Sequence, residues 1–494
     1  MTTPEFDLLI KNVRVVRPHG NVVHDSDIAI KDGQFALVAP GIDVDRAKKV
    51  HDGQHRLAFP GVVDAHMHSG IYSPLIEDAV SESKAAAMGG VTSSLNYFRT
   101  GQYYLNKGGP YKKFYPEVLK TSKGRFHVDY GFHLAPMDGT HIKEIPELIE
   151  KYGVSSFKIF MFYGSHGLHG ASNSQREFLM IGEDERYDYA HFEFIMRGVQ
   201  AAREQFPERA RQISLSLHCE TAEVMTAYTK LVEKDESFQK PGMGLAAYSA
   251  SRPQHSEGLA VFIASYLAHE TALPNINLLH LSSRKAVQAA MMMADVFPHI
   301  DFKREVTIGH LMLDINSKAA ELAKVNPPIR PREDVEFLWD ALLAGELDWV
   351  VSDHACCRHE MKIPKHYFGN IWMAKSGFGG TEYLLPALVS EGTRRGMGYN
   401  HMARVTSWNP AQRYGLNRKG DIAVGFDADL ALVDPAKTWT IAAKDSPSTQ
   451  GYTPFEGLEL SARVEETFLR GHLIYLGGEV IGKPRGQYLH RPTA

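Results

Sequence analysis

"SSFKIFMF" (residues 155–162) decides how this chain is read. It is an apolar run of strand length with a lysine, Lys158, near its centre. Such a run reads as a β-strand buried on both faces. Lysine is almost never fully buried unless paired. An unpaired ammonium in an apolar place loses its proton instead of keeping its charge. A neutral amine is a nucleophile and combines with carbon dioxide to form a carbamate, an anionic oxygen donor able to bridge two metal ions. The ordinary alternative is a snorkelling lysine with its ammonium in water.

Working outward, seven more strand-like runs share the middle of the chain. They are "GVVDAHMH" (61–68), "VTSSLNYF" (91–98), "FHVDYGFHLA" (126–135), "ISLSLHCE" (213–220), "NINLLHLS" (275–282), the region near "REVTIGHLML" (304–313) and "LDWVVSDHA" (347–355). Amphipathic stretches such as "YAHFEFIMRGVQAAREQF" and "VEFLWDALLAG" separate them, as helices would in βα units. The expected fold class is therefore α/β, an eight-stranded (β/α)8 TIM barrel. Both chain ends differ from the middle. "FDLLIKNVRVV" and "DIAIKDGQFALVA" at the start, and "GDIAVGFDADLALVD" and "FLRGHLIYLGGEVI" near the end, are short alternating runs broken by Gly and Asp. They predict a small β-sandwich domain built from both ends: residues 1–57 and 415–494, around a barrel at 58–414.

Composition narrows the function classes. The chain has 494 residues, 44% hydrophobic and 23% charged, as in ordinary globular proteins. A formal net charge of -4 offers no broad basic field for nucleic acid or an anionic membrane. No run of about 18 apolar residues is present to span a bilayer, and the start lacks a signal-peptide pattern. Three cysteines, Cys219, Cys356 and Cys357, make no disulfide framework, so a reducing cytoplasm is the expected compartment.

In a barrel of this kind, chemistry gathers at the C-terminal ends of the strands. His66 and His68 close the first strand, and their i, i+2 spacing puts both on one face. Lys158 lies in strand four, His218 ends strand five, His280 ends strand six and Asp353 ends strand eight. Any one of these has a plain structural reading: a satisfied core histidine, or for Asp353 in "SDHA" a helix N-cap. Coincidence at five strand ends is far less economical than a shared site. Four imidazoles, a carboxylate and a carbamate suit two divalent metals, zinc first, with manganese, cobalt or iron as alternatives. Two such ions lower the pKa of water and polarise a carbonyl. Asp353 would move a proton from the attacking water to a leaving nitrogen, which is amide hydrolysis.

"PGVVDAHMH", "SSFKIFMFY", "LHCET", "LLHLSS", "VNPPIR" and "VSDHA", with "NPAQRYGL" leading out of the barrel, resemble the motifs of the amidohydrolase superfamily in its cyclic amidase branch. That branch holds dihydropyrimidinases, hydantoinases, allantoinases and dihydroorotases. The resemblance implies a binuclear, usually zinc, site with N6-carboxylysine at Lys158, Asp353 as general base, and a homo-oligomer, tetramer or dimer. Tyr163, five residues after Lys158, matches the tyrosine with which hydantoinases help polarise the substrate carbonyl. Asn326 stands where hydantoinases usually have serine and dihydroorotases more often asparagine; in the branch the backbone at this position contacts the ring amide. In "KSGFGGTE", Lys375 and Ser376 stand near the position of a hydantoinase asparagine that is missing here, and Gly377, Gly379 and Gly380 would let backbone groups approach a ligand closely. "SDHACCRHEMK" is closer to allantoinases. Ser69 and Gly70 follow His68 where dihydroorotases carry an arginine for the substrate carboxylate, which ranks that activity low.

The leading expectation is a metal-dependent hydrolase opening a cyclic amide, imide or ureide ring, most like a hydantoinase or dihydropyrimidinase. An allantoinase-type ureide hydrolase is the alternative. A mononuclear deaminase needs no lysine in strand four, and a non-catalytic scaffold would have lost ligands that are all present. Two loops, after strands two and four, are expected to wall the pocket. His166 and His169, in the second loop, are read as structural.

Overall fold

The computed structural model describes residues 4–164 and 174–493. His166 and His169 lie outside the described residues.

Eight parallel strands form the centre: Val62–Met67, Val91–Phe98, Asp129–Leu134, Ser156–Phe160, Ser214–His218, Asn275–Leu278, Asp301–Thr307 and Trp349–Val351. Each pairs with its sequence neighbour, in order from first to eighth. The first and last close on each other just beyond the eighth strand, where Met67 bridges His354 and His68 N donates to His354 O at 2.8 Å. This is the expected (β/α)8 barrel. All eight residues of Val91–Phe98 are buried, as are all five of Ser156–Phe160, because helices cover one face and the interior fills the other. The helices begin where side-chain oxygens satisfy their first amides. Asp188 caps Tyr189–Gln205 through the amides of Ala190 and His191, and Asp138 caps Gly139–Tyr152 likewise.

The strands are shorter than the apolar runs that announced them. "REVTIGHLML" breaks at Thr307, whose side chain accepts from His310 N and starts the helix Ile308–Met312. Strand six stops at Leu278 and strand eight at Val351, before the residues that carry chemistry.

The two chain ends meet in one nine-stranded sheet. Leu57–Pro60 pairs antiparallel with Leu430–Asp434 and joins the N-terminal strands to the C-terminal ones. One apolar cluster, including Ile28, Ile30, Leu432 and Phe468, holds residues from both halves of that sheet. A buried ion cluster ties sheet to barrel: Lys419 Nζ lies 2.8 Å from Asp129 and 2.6 Å from Asp429. The last residues do something the sequence reading did not anticipate. They leave the sheet and run along barrel strand three, with Tyr130 N on Gln487 O and Leu489 N on Tyr130 O. Among the described residues no helix is long and apolar enough to cross a membrane.

Candidate metal centre and active site

Barrel closure brings the expected residues together at the C-terminal ends of the strands. The ligating atoms of His66, His68 and Asp353 all lie within 4.8 Å of one another. Asp353 Oδ1 is 3.2 Å from His66 Nε2 and 3.1 Å from His68 Nε2. Lys158 Nζ is 3.1 Å from His66 Nε2. The His280 ring extends the group, 5.4 Å from the His66 ring and 4.3 Å from the His218 ring, centroid to centroid. His280 and Asp353 both adopt a left-handed backbone, φ 35 and 53. Non-glycine residues rarely do so, and such conformations cluster at functional sites. No helix starts at Asp353; the next begins at His359, so the capping alternative is set aside.

The donor set fits a metal. Burial holds all four imidazoles below their ordinary range, in the neutral form that ligates. Burial would raise the Asp353 carboxyl, but His66, His68 and Lys158 outweigh it and hold it below the usual carboxylate range. Burial pushes the Lys158 amine down to about 7, against the pull of Asp353 and Glu305. That amine has no ion-pair partner among the described residues and sits over the faces of Tyr97, at 4.0 Å, and Phe160, at 4.4 Å. His280 Nδ1 is buried without a hydrogen-bond partner among the described residues.

Behind these residues stands a layer that orients them. Glu305 Oε1 lies 2.7 Å from His66 Nδ1, leaving Nε2 to face the centre. Glu220 Oε2 lies 2.6 Å from His218 Nε2, which leaves Nδ1 as the inward nitrogen. Arg252 in turn grips both oxygens of Glu220, at 2.8 and 2.6 Å. Tyr104 Oη lies 2.7 Å from His68 Nδ1. Carboxylates and other partners of this kind fix tautomer and ring orientation in metal sites.

A narrow cavity opens onto the centre. Lys158, His68, His218, His280 and Asp353 line it, together with Tyr163, Tyr104, Phe160, Phe162, Asn326, Ser376 and Gly377. Every metal-ligand or substrate-contact candidate from the sequence therefore borders it except His66, which lies beneath. Asn326 accepts from Tyr248 Oη, while its Nδ2 is buried without a partner among the described residues. Ser376 O accepts from Tyr72 Oη at 2.5 Å. Gly377 has φ 101, and a Cβ there would approach Ala355 Cβ to 3.0 Å, so a side chain is excluded. Lys362 Nζ, fully buried, donates to Lys324 O at 2.9 Å and Gly377 O at 2.7 Å, clamping the two cavity walls together.

Sequence reasoning missed Glu220, Glu305, Arg252, Tyr104 and the clamp made by Lys362. Two of them carried a signal. Glu220 repeats the i, i+2 spacing of a strand face from His218, and Glu305 is a charged residue inside an expected strand, the same anomaly that drew attention to Lys158.

Fold and site together define an α/β barrel with a candidate metal-binding donor set at the strand ends. Residues 263–474 match the amidohydrolase family. An allantoinase of Rubrobacter xylanophilus is 30% identical over 98% of this chain and 97% of its own length. An allantoinase of Escherichia coli is 29% identical over 98% of each. Among solved structures, a D-hydantoinase superposes with a TM-score of 0.81 at 25% identity, covering 98% of both chains. The dihydropyrimidinase of Brevibacillus agri shares the fold, with a TM-score of 0.82 at 24% identity and 98% of both chains covered. The chain belongs to the amidohydrolase family, in its cyclic amidase branch, and is a cyclic-amide hydrolase.

Proposed function

We propose that the enzyme opens a hydantoin-type cyclic ureide. The observation that carries this reading is the cavity in which Tyr163 stands beside Lys158, His218, His280 and Asp353. His66, His68, Lys158 as N6-carboxylysine, His218, His280 and Asp353 would hold two divalent ions, zinc first. Such ions supply an activated water near neutral pH and polarise a carbonyl. Lys158 supports the carbamate reading because it is buried beside His66 and two aromatic faces, with no carboxylate in contact among the described residues.

The protein's own groups do the rest. Asp353 takes the proton of the attacking water on a carboxylate oxygen and delivers it to the departing ring nitrogen. Tyr163 donates its phenol hydrogen to the carbonyl oxygen as charge develops there. Asn326, with its unpartnered amide, and the backbone at Ser376 and Gly377 position the ring.

A second reading, allantoin itself, is favoured by "CCRHEMK" and by the allantoinases among the relatives. Allantoin is a hydantoin with a ureido arm, so the two readings share one ring. The enzyme is further proposed to act as a cytoplasmic homo-oligomer. Leu259, Phe262 and Tyr266 lie exposed at i, i+3 and i+7 on one helix, with Met292 and Val296 exposed on the neighbouring helix. Light scattering of the eluting protein tests that.

The deciding experiment gives purified, metal-replete enzyme equal doses of hydantoin, a 5-substituted hydantoin, dihydrouracil, allantoin and succinimide. Ring opening confined to hydantoins or allantoin supports the proposal, and the preferred arm separates the two readings. Turnover of dihydrouracil alone, or of none, overturns it. Lys158→Ala is expected to lose most bound metal and nearly all turnover; keeping both would remove the carbamate.

A further inference from the structure

Arg99 follows barrel strand two directly and is fully buried, yet it has no carboxylate partner among the described residues. A buried guanidinium without a counter-ion is costly and needs compensation. Two backbone carbonyls provide part of it: Nη1 donates to Thr100 O at 2.8 Å and to Gln102 O at 3.1 Å. Aromatic faces provide more, with the guanidinium carbon 4.8 Å from the Phe178 centroid, 5.1 Å from Tyr163 and 5.4 Å from Tyr104. The remaining contact is specific: Nε donates to the Tyr163 phenol oxygen at 3.2 Å.

Direction matters in that bond. Guanidinium only donates. The Tyr163 oxygen must therefore accept, and its own hydrogen cannot point at Arg99. The rings of Phe160, Phe162 and Phe178 pack around Tyr163, leaving the cavity as the polar outlet among the described residues. We propose that Arg99 is a positioning residue for ring opening, which by donating to the Tyr163 oxygen aims the phenol hydrogen at the substrate carbonyl oxygen. A phenol that accepts from a cation is also polarised into a stronger donor. The Arg99 contact serves the same end as an oxyanion hole, a donor set in place before charge develops. This inference rests on the proposed role of Tyr163.

The test is a double-mutant cycle on kcat and KM, with metal content measured in every variant. Tyr163→Phe is expected to lower kcat about 100-fold, the usual loss for one oxyanion donor. Arg99→Met should lower kcat by roughly 10-fold or more with KM within about twofold and metal content unchanged, and should add almost nothing in the Tyr163→Phe background. Should Arg99→Met fold poorly, Arg99→Lys keeps a cation and is read in the same two backgrounds. An Arg99 effect that is absent, or equal in both backgrounds, overturns the inference. A wild-type kcat in Tyr163→Phe would instead remove the proposed role of Tyr163 itself.

Discussion

Glu305 Oε1 lies 2.7 Å from Nδ1 of His66, and both side chains are wholly buried. The same oxygen accepts from His280 N at 3.1 Å, and the other accepts from Trp349 Nε1 at 2.9 Å. One carboxylate thus ties the ends of strands one, six and eight beneath the donor set. Glu305→Gln keeps the shape but weakens its hold on the His66 tautomer. Metal affinity should fall about 10- to 100-fold, the usual cost of losing such a partner. Metal retained after dialysis against graded chelator checks this; wild-type retention would mean His66 is held by strand geometry alone.

Lys362 should matter for binding more than for chemistry. Its two hydrogen bonds hold the carbonyls of Lys324 and Gly377, and so space Asn326 from Gly377 across the cavity. Lys362→Met removes both donors. KM is expected to rise about tenfold, corresponding to ~1.4 kcal/mol, with kcat changed much less. A fall in kcat at constant KM would place Lys362 in the reaction step.

The C-terminal tail should stabilise the barrel from below. Arg491, fully buried, donates at 2.7 Å to the Oγ of Ser156, the first residue of the strand that carries Lys158. Truncation after Pro484 strips that guanidinium and the Gln487 and Leu489 backbone bonds from strand three. A loss on the order of 3–5 kcal/mol is expected, because buried partners are left unpaired. Denaturant unfolding measures it, and an unchanged midpoint would show the tail to be ornamental.

Acid sensitivity should trace partly to His127. Burial, with Lys84 nearby, pushes its imidazole down to about 4, and its Nδ1 has no partner among the described residues. The unfolded chain therefore binds a proton that the folded chain refuses. Stability is whole above the ordinary histidine value near 6.5 and falls as pH drops toward 4. His127→Phe should flatten that limb by about 1–2 kcal/mol, allowing for partial hydration. Chemical unfolding at pH 7 and pH 4.5 checks it; identical slopes in both proteins would assign the acid limb elsewhere.

The barrel was legible in sequence because strands buried on both faces read as apolar runs, and a polar side chain inside one stands out. Lys158 stood out this way, and the paired spacing of His66 and His68 marked a strand face. The strand ends were less legible. "REVTIGHLML" carries no break in its apolar character, and only the Thr307 cap turned its second half into helix. The terminal runs announced strands but not their partners, since period-two alternation says nothing about which strand lies beside which.

Residue type and local spacing, then, determined the fold class and picked out the candidate donors by themselves: burial patterns and the chemistry of imidazole, carboxylate and amine are local properties. Tertiary structure alone decided how those donors are held. Glu305 reaches His66 across 239 residues of chain, and Arg99 reaches Tyr163 across 64. Hydrogen bonds of that range depend on angles and distances that only barrel closure sets. The direction of a phenol hydrogen in the pocket is likewise fixed by its neighbours in space.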